Sequence, residues 1–315
     1  IVLVVFCLLL VGSSSRATTW YIKADGTGDR PTIRSGVLAA ADGDTLLLAA
    51  GTYMGNGNWN VWVPDKTLVI RSESGAQSTI IDCQSTGYGI FFYRTMGGGT
   101  GTLEVAGLTV ENAVDTLTVS GIVEFSNFDD ALIAEDNVVQ NCTGGLNVGA
   151  GIPPEVRIRN NRLLNNGEGI TVGGSGTLVD VSGNEVTGCG RGIECSSGGH
   201  IANNTIQGST TSGIVVTGAS VQDVEILSNV VSGITASTSS DAIVVLGNGE
   251  VTVRIEGNIV TANTSTGGSG FGIGILASVD TCWVLGNTIS DNVVGSVGAV
   301  VSTSLSFVSN NIISF

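Results

Sequence analysis

The stretch VRIRNNRLLNNGEGITV, Val156 to Val172, sets two adjacent asparagines between short alternating apolar runs. One such pair is ordinary turn chemistry, because Asn tolerates the left-handed conformation and hydrogen-bonds its own backbone. The second Asn of the first pair, however, recurs along the chain. It stands in EDNVV (Asn137), RNNRL (Asn161), SGNEV (Asn184), ANNTI (Asn204), LSNVV (Asn229), EGNIV (Asn258), LGNTI (Asn287) and SNNII (Asn311). The intervals are 24, 23, 20, 25, 29, 29 and 24 residues. A period of about 20 to 50 residues marks a solenoid, propeller or array.

The flanks say which. Three residues before the last seven anchors stand Ile158, Val181, Ile201, Ile226, Ile255, Val284 and Val308, and two residues after them Leu163, Val186, Ile206, Val231, Val260, Ile289 and Ile313. These face inward. Four residues before the anchors comes a mixed set no core would hold: Arg157, Asp180, His200, Glu225, Arg254, Trp283 and Phe307. Those face out. A period of two on each side of a turn, rich in β-branched residues, reads as short strands. A third strand follows in GITV (Gly169–Val172), GIEC (Gly192–Cys195), GIVV (Gly213–Val216) and AIVV (Ala242–Val245). Three short strands per repeat without a helix form one coil of a parallel β-helix. Stacked at about 4.8 Å, equivalent asparagines would lie above one another and hydrogen-bond from coil to coil.

Residues 21–53, YIKADGTGDRPTIRSGVLAAADGDTLLLAAGTY, resemble the opening of secreted bacterial right-handed parallel β-helix proteins with the pectin-lyase-like fold. The segment KADGTGDRPTI is also similar to the start of pectin methylesterases, and the Asn repeats resemble the superfamily's β-helix repeat. The resemblance implies an all-β, single-stranded, right-handed parallel β-helix, here of roughly eleven coils. It does not specify an activity, since the superfamily includes lyases, hydrolases, esterases, tailspikes and adhesins. Segments of the Asp-Phe-Ile-Phe-Gly or Gly-Arg-Pro-Trp type are missing from the sequence, so the esterases' aspartates, arginine and glutamines have no positions to land on.

Composition agrees with a Gly-turned solenoid: 47 Gly, only 4 Pro and 12% charged residues in 315. A solenoid adds length without adding cores, so residues 18–315 read as one domain, expected to continue beyond Phe315 because an uncapped parallel edge is an aggregation template. Residues 1–17 read as a signal peptide lacking its n-region: IVLVVFCLLLV is an h-region, too short for the roughly 20 residues of a span. The expected location is therefore extracellular, cell-surface or periplasmic. No other segment could cross a membrane. The net charge of −15, without a Lys/Arg cluster, excludes nucleic acid as a partner. Cys142 and Cys189 share a position two coils apart, beyond disulfide reach; Cys83, Cys195 and Cys282 also read as free buried thiols, with a Cys189–Cys195 bridge as the alternative.

Near the start, Trp20–Lys23 reads as a strand, and PTIRSGVLAAADGD (Pro31–Asp44) as a short amphipathic helix with Ile33, Val37, Leu38 and Ala41 inward, covering the open end of the first coil. In the enzymes that the chain resembles, the site lies on the outer face of the first strand sheet. Aligning the Gly-Ile-x-Val strands places Glu124, Asn147, Thr171, Glu194, Val215 and Val244 in that outward row. The candidate catalytic residues are Glu194, Glu124, Arg191 and Asp130, with Asp129 beside it. Glu124 and Glu194 stand three coils apart, about 14 Å, wider than a glycosidase carboxyl pair. A calcium-dependent lyase would need several of these carboxylates on one cation and an Arg or Lys base; no other cofactor or metal is indicated. Asn147 and Thr171 are candidate substrate-binding residues. Trp283 and Phe307, on neighbouring coils, are expected to form an aromatic platform for sugar rings. His200 falls on the second sheet beside Asp180 and Glu225, and Arg157 and Arg162 are expected over Asp180 and Glu185. The leading functional expectation is an exported polysaccharide-binding surface protein. The alternatives are a polysaccharide lyase or hydrolase and a structural coil array.

Overall fold

In a computed structural model the chain is an all-β, right-handed parallel solenoid, with a single short helix among the described residues. The structure describes residues 16–93, 101–114, 123–126, 131–149, 155–173, 178–196, 198–218, 223–236, 241–265, 271–293, 296–301 and 306–314. All but the last two residues of the expected leader, and the Asp129–Asp130 pair, lie outside them.

Each coil has three faces. Strands such as Leu146–Val148, Ile170–Val172 and Arg191–Cys195 build the first, Glu155–Arg159, Leu178–Ser182 and Gly199–Ala202 the second, and Arg162–Leu164, Glu185–Thr187 and Thr205–Gln207 the third. Every strand pairs in parallel with its equivalent one coil away; Arg162, Leu163 and Leu164, for example, stand over Glu185, Val186 and Thr187. The third face is an 11-stranded sheet. The first two merge into a 20-stranded sheet because Ile243–Glu256 and Phe271–Leu285 run through the corner between them without a break. The turn count falls slightly below the roughly eleven expected; the second face opens with Thr19–Ile22, which pairs with Thr45–Leu48, and the first face opens later, at Val61–Pro64.

The core is a stacked column of small β-branched and aliphatic side chains. Val156, Ile158, Leu163, Ile170 and Val172, all in the opening stretch, are at most 2% exposed, as inward alternation requires. The two asparagines of each pair do different work. Asn160 takes the left-handed conformation (φ 54°) and turns the corner; Asn161 points inside, fully buried. In other coils the corner residue is Asp136, Gly183, Asn203, Ser228, Gly257 or Gly286, each with positive φ. The buried asparagines form the expected ladder. Asn161 donates from its backbone N–H and its Nδ2 to Asn184 Oδ1 at 2.9 and 3.0 Å, and Nδ2 also donates to Ala134 O in the preceding coil at 2.8 Å. The same pattern runs from Asn137 to Asn311. Each amide thus ties together three coils and leaves no buried polar atom unmet.

A second ladder stands at the other end of the third face. Asn165 (φ 54°) turns that corner and Asn166 is buried, so NNRLLNN holds both corners of one coil. The column reads Cys142, Asn166, Cys189, Ser209, Ile234, Asn263 and Asn292, and its asparagines accept backbone N–H groups from the preceding coil, as Asn166 does from Cys142 at 2.9 Å. Cys142 and Cys189 therefore stand two coils apart with Asn166 between them, and all five described cysteines are free and buried.

The helix is shorter than expected, Ile33–Ala39, with Thr32 as N-cap in a reciprocal pair with Ser35. Its inward stripe is Ile33, Gly36, Val37 and Ala40, whereas Leu38 is 72% exposed, because a helix ending at Ala39 follows the i, i+3, i+4, i+7 spacing from Ile33. Lys66 Nζ caps its C-terminal end, donating to Val37 O at 2.9 Å and Ala40 O at 2.7 Å. Packing over the first coil is close: a Cβ at Gly36 would lie 2.9 Å from Ile22 Cδ1 and 3.1 Å from Leu46 Cδ2. The first strand is Thr19–Ile22. No helix among the described residues is long and apolar enough to cross a membrane.

Candidate functional site

Register fixes the outward row of the first face. Glu124 pairs with Asn147, Asn147 with Thr171, Thr171 with Glu194, Glu194 with Val215 and Val215 with Val244. The expected row therefore exists as a continuous line along the solenoid. Val244 departs from expectation in being only 2% exposed, so the open part of the row ends before it.

Upstream the row continues into residues the sequence reading left aside. Glu124 pairs with Phe91, and Phe91 with Trp62. Trp62 is 45% exposed; Phe91, Tyr93 and Tyr88 are half-buried around it. Their rings tilt against one another, with centroids 6.5 Å apart for Trp62 and Tyr93, 6.1 Å for Phe91 and Tyr93, and 5.9 Å for Tyr88 and Phe91. The alternation in NVWVPD and GIFFYR, with Val61, Val63, Ile90 and Phe92 buried, is the signal that would have found this cluster.

Downstream, the polar part of the row borders a surface depression of about 280 Å³ lined by Thr143, Gly145, Asn147, Glu168 and Thr171. Glu168 was not singled out by sequence, because it sits in the turn before the strand; its Oε2 accepts from Thr171 Oγ1 at 3.4 Å. Arg191 Nη1 pairs with Glu194 Oε2 at 2.5 Å. The structure thus places Glu168 in the same coil as Thr171 and Glu194 beside Thr171 in the next, while Glu124 stands three strands from Glu194. Glycine makes the approach to this turn possible: a Cβ on Gly145 would run into Gly169 O, and one on Gly169 into Gly192 O.

A calcium ion needs several converging carboxylate oxygens. Glu194 is already held by Arg191, and among the described residues no three His, Cys, Asp or Glu side chains converge on a point. The described residues do not fit that ion.

On the second face the outward column runs Asp180, His200, Glu225, Arg254, Trp283, Phe307. His200 Nδ1 lies 3.0 Å from Glu225 Oε2, far from the first-face row. Arg162 pairs with Glu185 at 2.8 Å as expected. Arg157 does stand over Asp180, but its guanidinium turns to Glu155 in its own strand, and Asp180 is taken by Arg159 at 3.0 Å, one outward position nearer the corner. Burial pulls the Asp180 carboxyl upward, but hydrogen bonds from Arg159 and Ser182 and the nearby positive charge together hold the group below the usual carboxylate range. Trp283 and Phe307 are neighbours, but they stack face to face, with centroids 4.3 Å apart and planes 15° apart. The coil spacing of about 4.8 Å allows such stacking of rings one strand apart. Each covers one face of the other, and Phe307 remains 40% exposed.

The family model for the right-handed β-helix region matches residues 154–313. No curated protein sequence matches the chain. Among solved structures, the catalytic domain of a GH87 α-1,3-glucanase in complex with nigerose is 12% identical with a TM-score of 0.45, over 85% of this chain and 64% of that one. The A-module of the Azotobacter vinelandii mannuronan C-5 epimerase AlgE6 is 16% identical, TM-score 0.36, over 90% and 93% of the two chains. Pectate lyase Pel9A is 12% identical, TM-score 0.34, over 94% and 80%. The chain thus spans less than two thirds of the glucanase domain. With ladders, three-faced coils and a family match over half its length, the chain belongs to the right-handed β-helix family.

Proposed function

We propose that the first face is the polysaccharide-binding surface of an exported, extracellular or cell-surface β-helix protein. The observation that carries this reading is the single outward row that joins exposed Trp62 and half-buried Phe91, with Tyr93 beside them, to Asn147, Thr171 and Glu194. Aromatic rings offer rigid apolar surface for the C–H faces of sugars, and the amide, hydroxyl and carboxylate downstream offer partners for sugar hydroxyls. Export rests on the apolar leader sequence. The test is retention on a panel of immobilised polysaccharides. The double change Asn147→Ala and Thr171→Ala is expected to weaken retention about tenfold, the loss of one or two hydrogen bonds, while Glu225→Ala on the second face leaves it unchanged. Retention that follows Glu225 and ignores Asn147 and Thr171 would remove the first face from the account.

One observation favours hydrolysis as a second reading: Thr171 has Glu168 beside it in its own coil and Glu194 beside it in the next. A glycosidase needs two carboxyl groups, one to protonate the leaving oxygen and one to act as nucleophile or base. Glu168→Gln and Glu194→Gln should each abolish release of reducing ends while sparing retention. No release by the unaltered protein from any retained polysaccharide would end this reading, and unsaturated products would assign a lyase instead.

A further inference from the structure

We infer that the glycan held by the first face is an uncharged one, bound through the Trp62–Phe91–Tyr93 cluster. This deepens the polysaccharide reading and rests on it. The first observation is the ring geometry. Trp62 and Tyr93 are tilted by 45° and Phe91 and Tyr93 by 41°, at centroid separations above 6 Å. Unlike the stacked pair Trp283 and Phe307, these rings do not cover one another, and Trp62 stays 45% exposed. An exposed ring face binds the apolar C–H side of a pyranose without needing charge on either partner.

The second observation concerns charge. A polyuronide carries one carboxylate per sugar and needs cations to receive it. Among the described residues of this region the cations are already committed. Lys66, next to the Val61–Pro64 strand, points its Nζ at two helix carbonyls, Val37 O and Ala40 O. Arg191 is paired with Glu194 at 2.5 Å. The remaining charged side chain of the depression, Glu168, is an acid. With a net charge of −15 over the chain, the surface repels an anionic polymer. A neutral glycan meets no such barrier.

The test is affinity electrophoresis of the full chain through gels containing β-1,3-glucan, xyloglucan or galactomannan on one side and polygalacturonate or alginate on the other, at low and high salt. Retardation is expected in at least one neutral gel, insensitive to salt, and in neither anionic gel. Trp62→Ala should weaken the neutral interaction about tenfold, Trp62→Phe should restore most of it, and neither should move the thermal midpoint, since the side chain is half outside. Preferential, salt-sensitive retardation by the anionic polymers would overturn the inference while leaving the polysaccharide reading standing. Neutral retardation indifferent to Trp62→Ala would overturn it too. Retardation in none of the gels would remove the polysaccharide reading and this inference with it.

Discussion

Asn184 Oδ1 accepts two hydrogen bonds from Asn161, one from its backbone N–H at 2.9 Å and one from its Nδ2 at 3.0 Å. Asn184 in turn donates both its groups to Asn204 Oδ1 and reaches Ile158 O two coils above that. Asn184→Leu therefore strands donors on Asn161 and the acceptor of Asn204 in a dry interior, at about 1 to 3 kcal/mol for each group left unmet. Thr205→Ala, next in sequence to a ladder residue but exposed, should cost less than about 0.5 kcal/mol. Denaturant midpoints of the two variants check this; equal shifts would contradict a buried ladder.

The second ladder carries a gap that can be filled. Ser209 is fully buried and its Oγ has no hydrogen-bond partner. In the same column Asn166 Nδ2 donates to Val139 O and Asn263 Nδ2 to Val231 O. Ser209→Asn should find the equivalent carbonyl, Val186 O, and stabilise the protein by about 1 kcal/mol. A fall in thermal midpoint would show that the column cannot take the larger side chain there.

How much of this could be read from the sequence differs by feature, for physical reasons. The first ladder was legible because Asn recurs with β-branched residues at fixed offsets. The division of labour within each pair was not, since Asp136, Asn160, Gly183 and Ser228 all serve the left-handed corner and share no single letter. The second ladder stayed hidden because Cys142, Cys189, Ser209 and Ile234 interrupt it, although Asn165 and Asn166 stood in plain view. Coils before Leu108 lack the Asn anchor, so Trp62 and Phe91 could not be aligned with Glu124. Glu168 escaped because it lies in a turn, where strand alternation says nothing about direction. Side-chain direction also explains the Arg157 result: the backbone register was right, and a long flexible guanidinium chose Glu155.

The first-face turn leaves no room for a side chain at Gly169, although Ala242 fills the equivalent place in a later coil. Gly169 packs so close to Gly192 O that an added Cβ would collide with backbone, which cannot yield as a side chain can. Gly169→Ala should cost about 2 kcal/mol or more, whereas Gly75→Ala, whose site is open but at φ 84°, should cost about 1 kcal/mol. Chemical denaturation of both variants tests the order.

Acid should loosen the capped end. Asp44 is buried, which pulls its carboxyl upward, but it accepts from Thr18 N–H at 2.7 Å, Ala41 N–H at 2.9 Å and Trp20 Nε1 at 3.0 Å, and these hold it below the ordinary value. A carboxyl depressed in the folded state contributes stability that is fully present above its unfolded value, about 4, and is lost as pH falls through the folded one. Trp20 fluorescence should report this loss below about pH 4, and Asp44→Asn should flatten that part of the profile. An unchanged acid profile in the variant would remove Asp44 from the cause.

The central claim is that glycan lies on the first face, and side-chain footprinting tests it most directly. Hydroxyl radicals oxidise exposed aromatics, and both faces carry a reporter: Trp62 and Tyr93 on the first, Trp283 and Phe307 on the second. With a retained polysaccharide bound, oxidation of Trp62 and Tyr93 should fall severalfold and that of Trp283 and Phe307 should stay as it is. Protection of Trp283 and Phe307 with Trp62 still open to the radical would contradict the account.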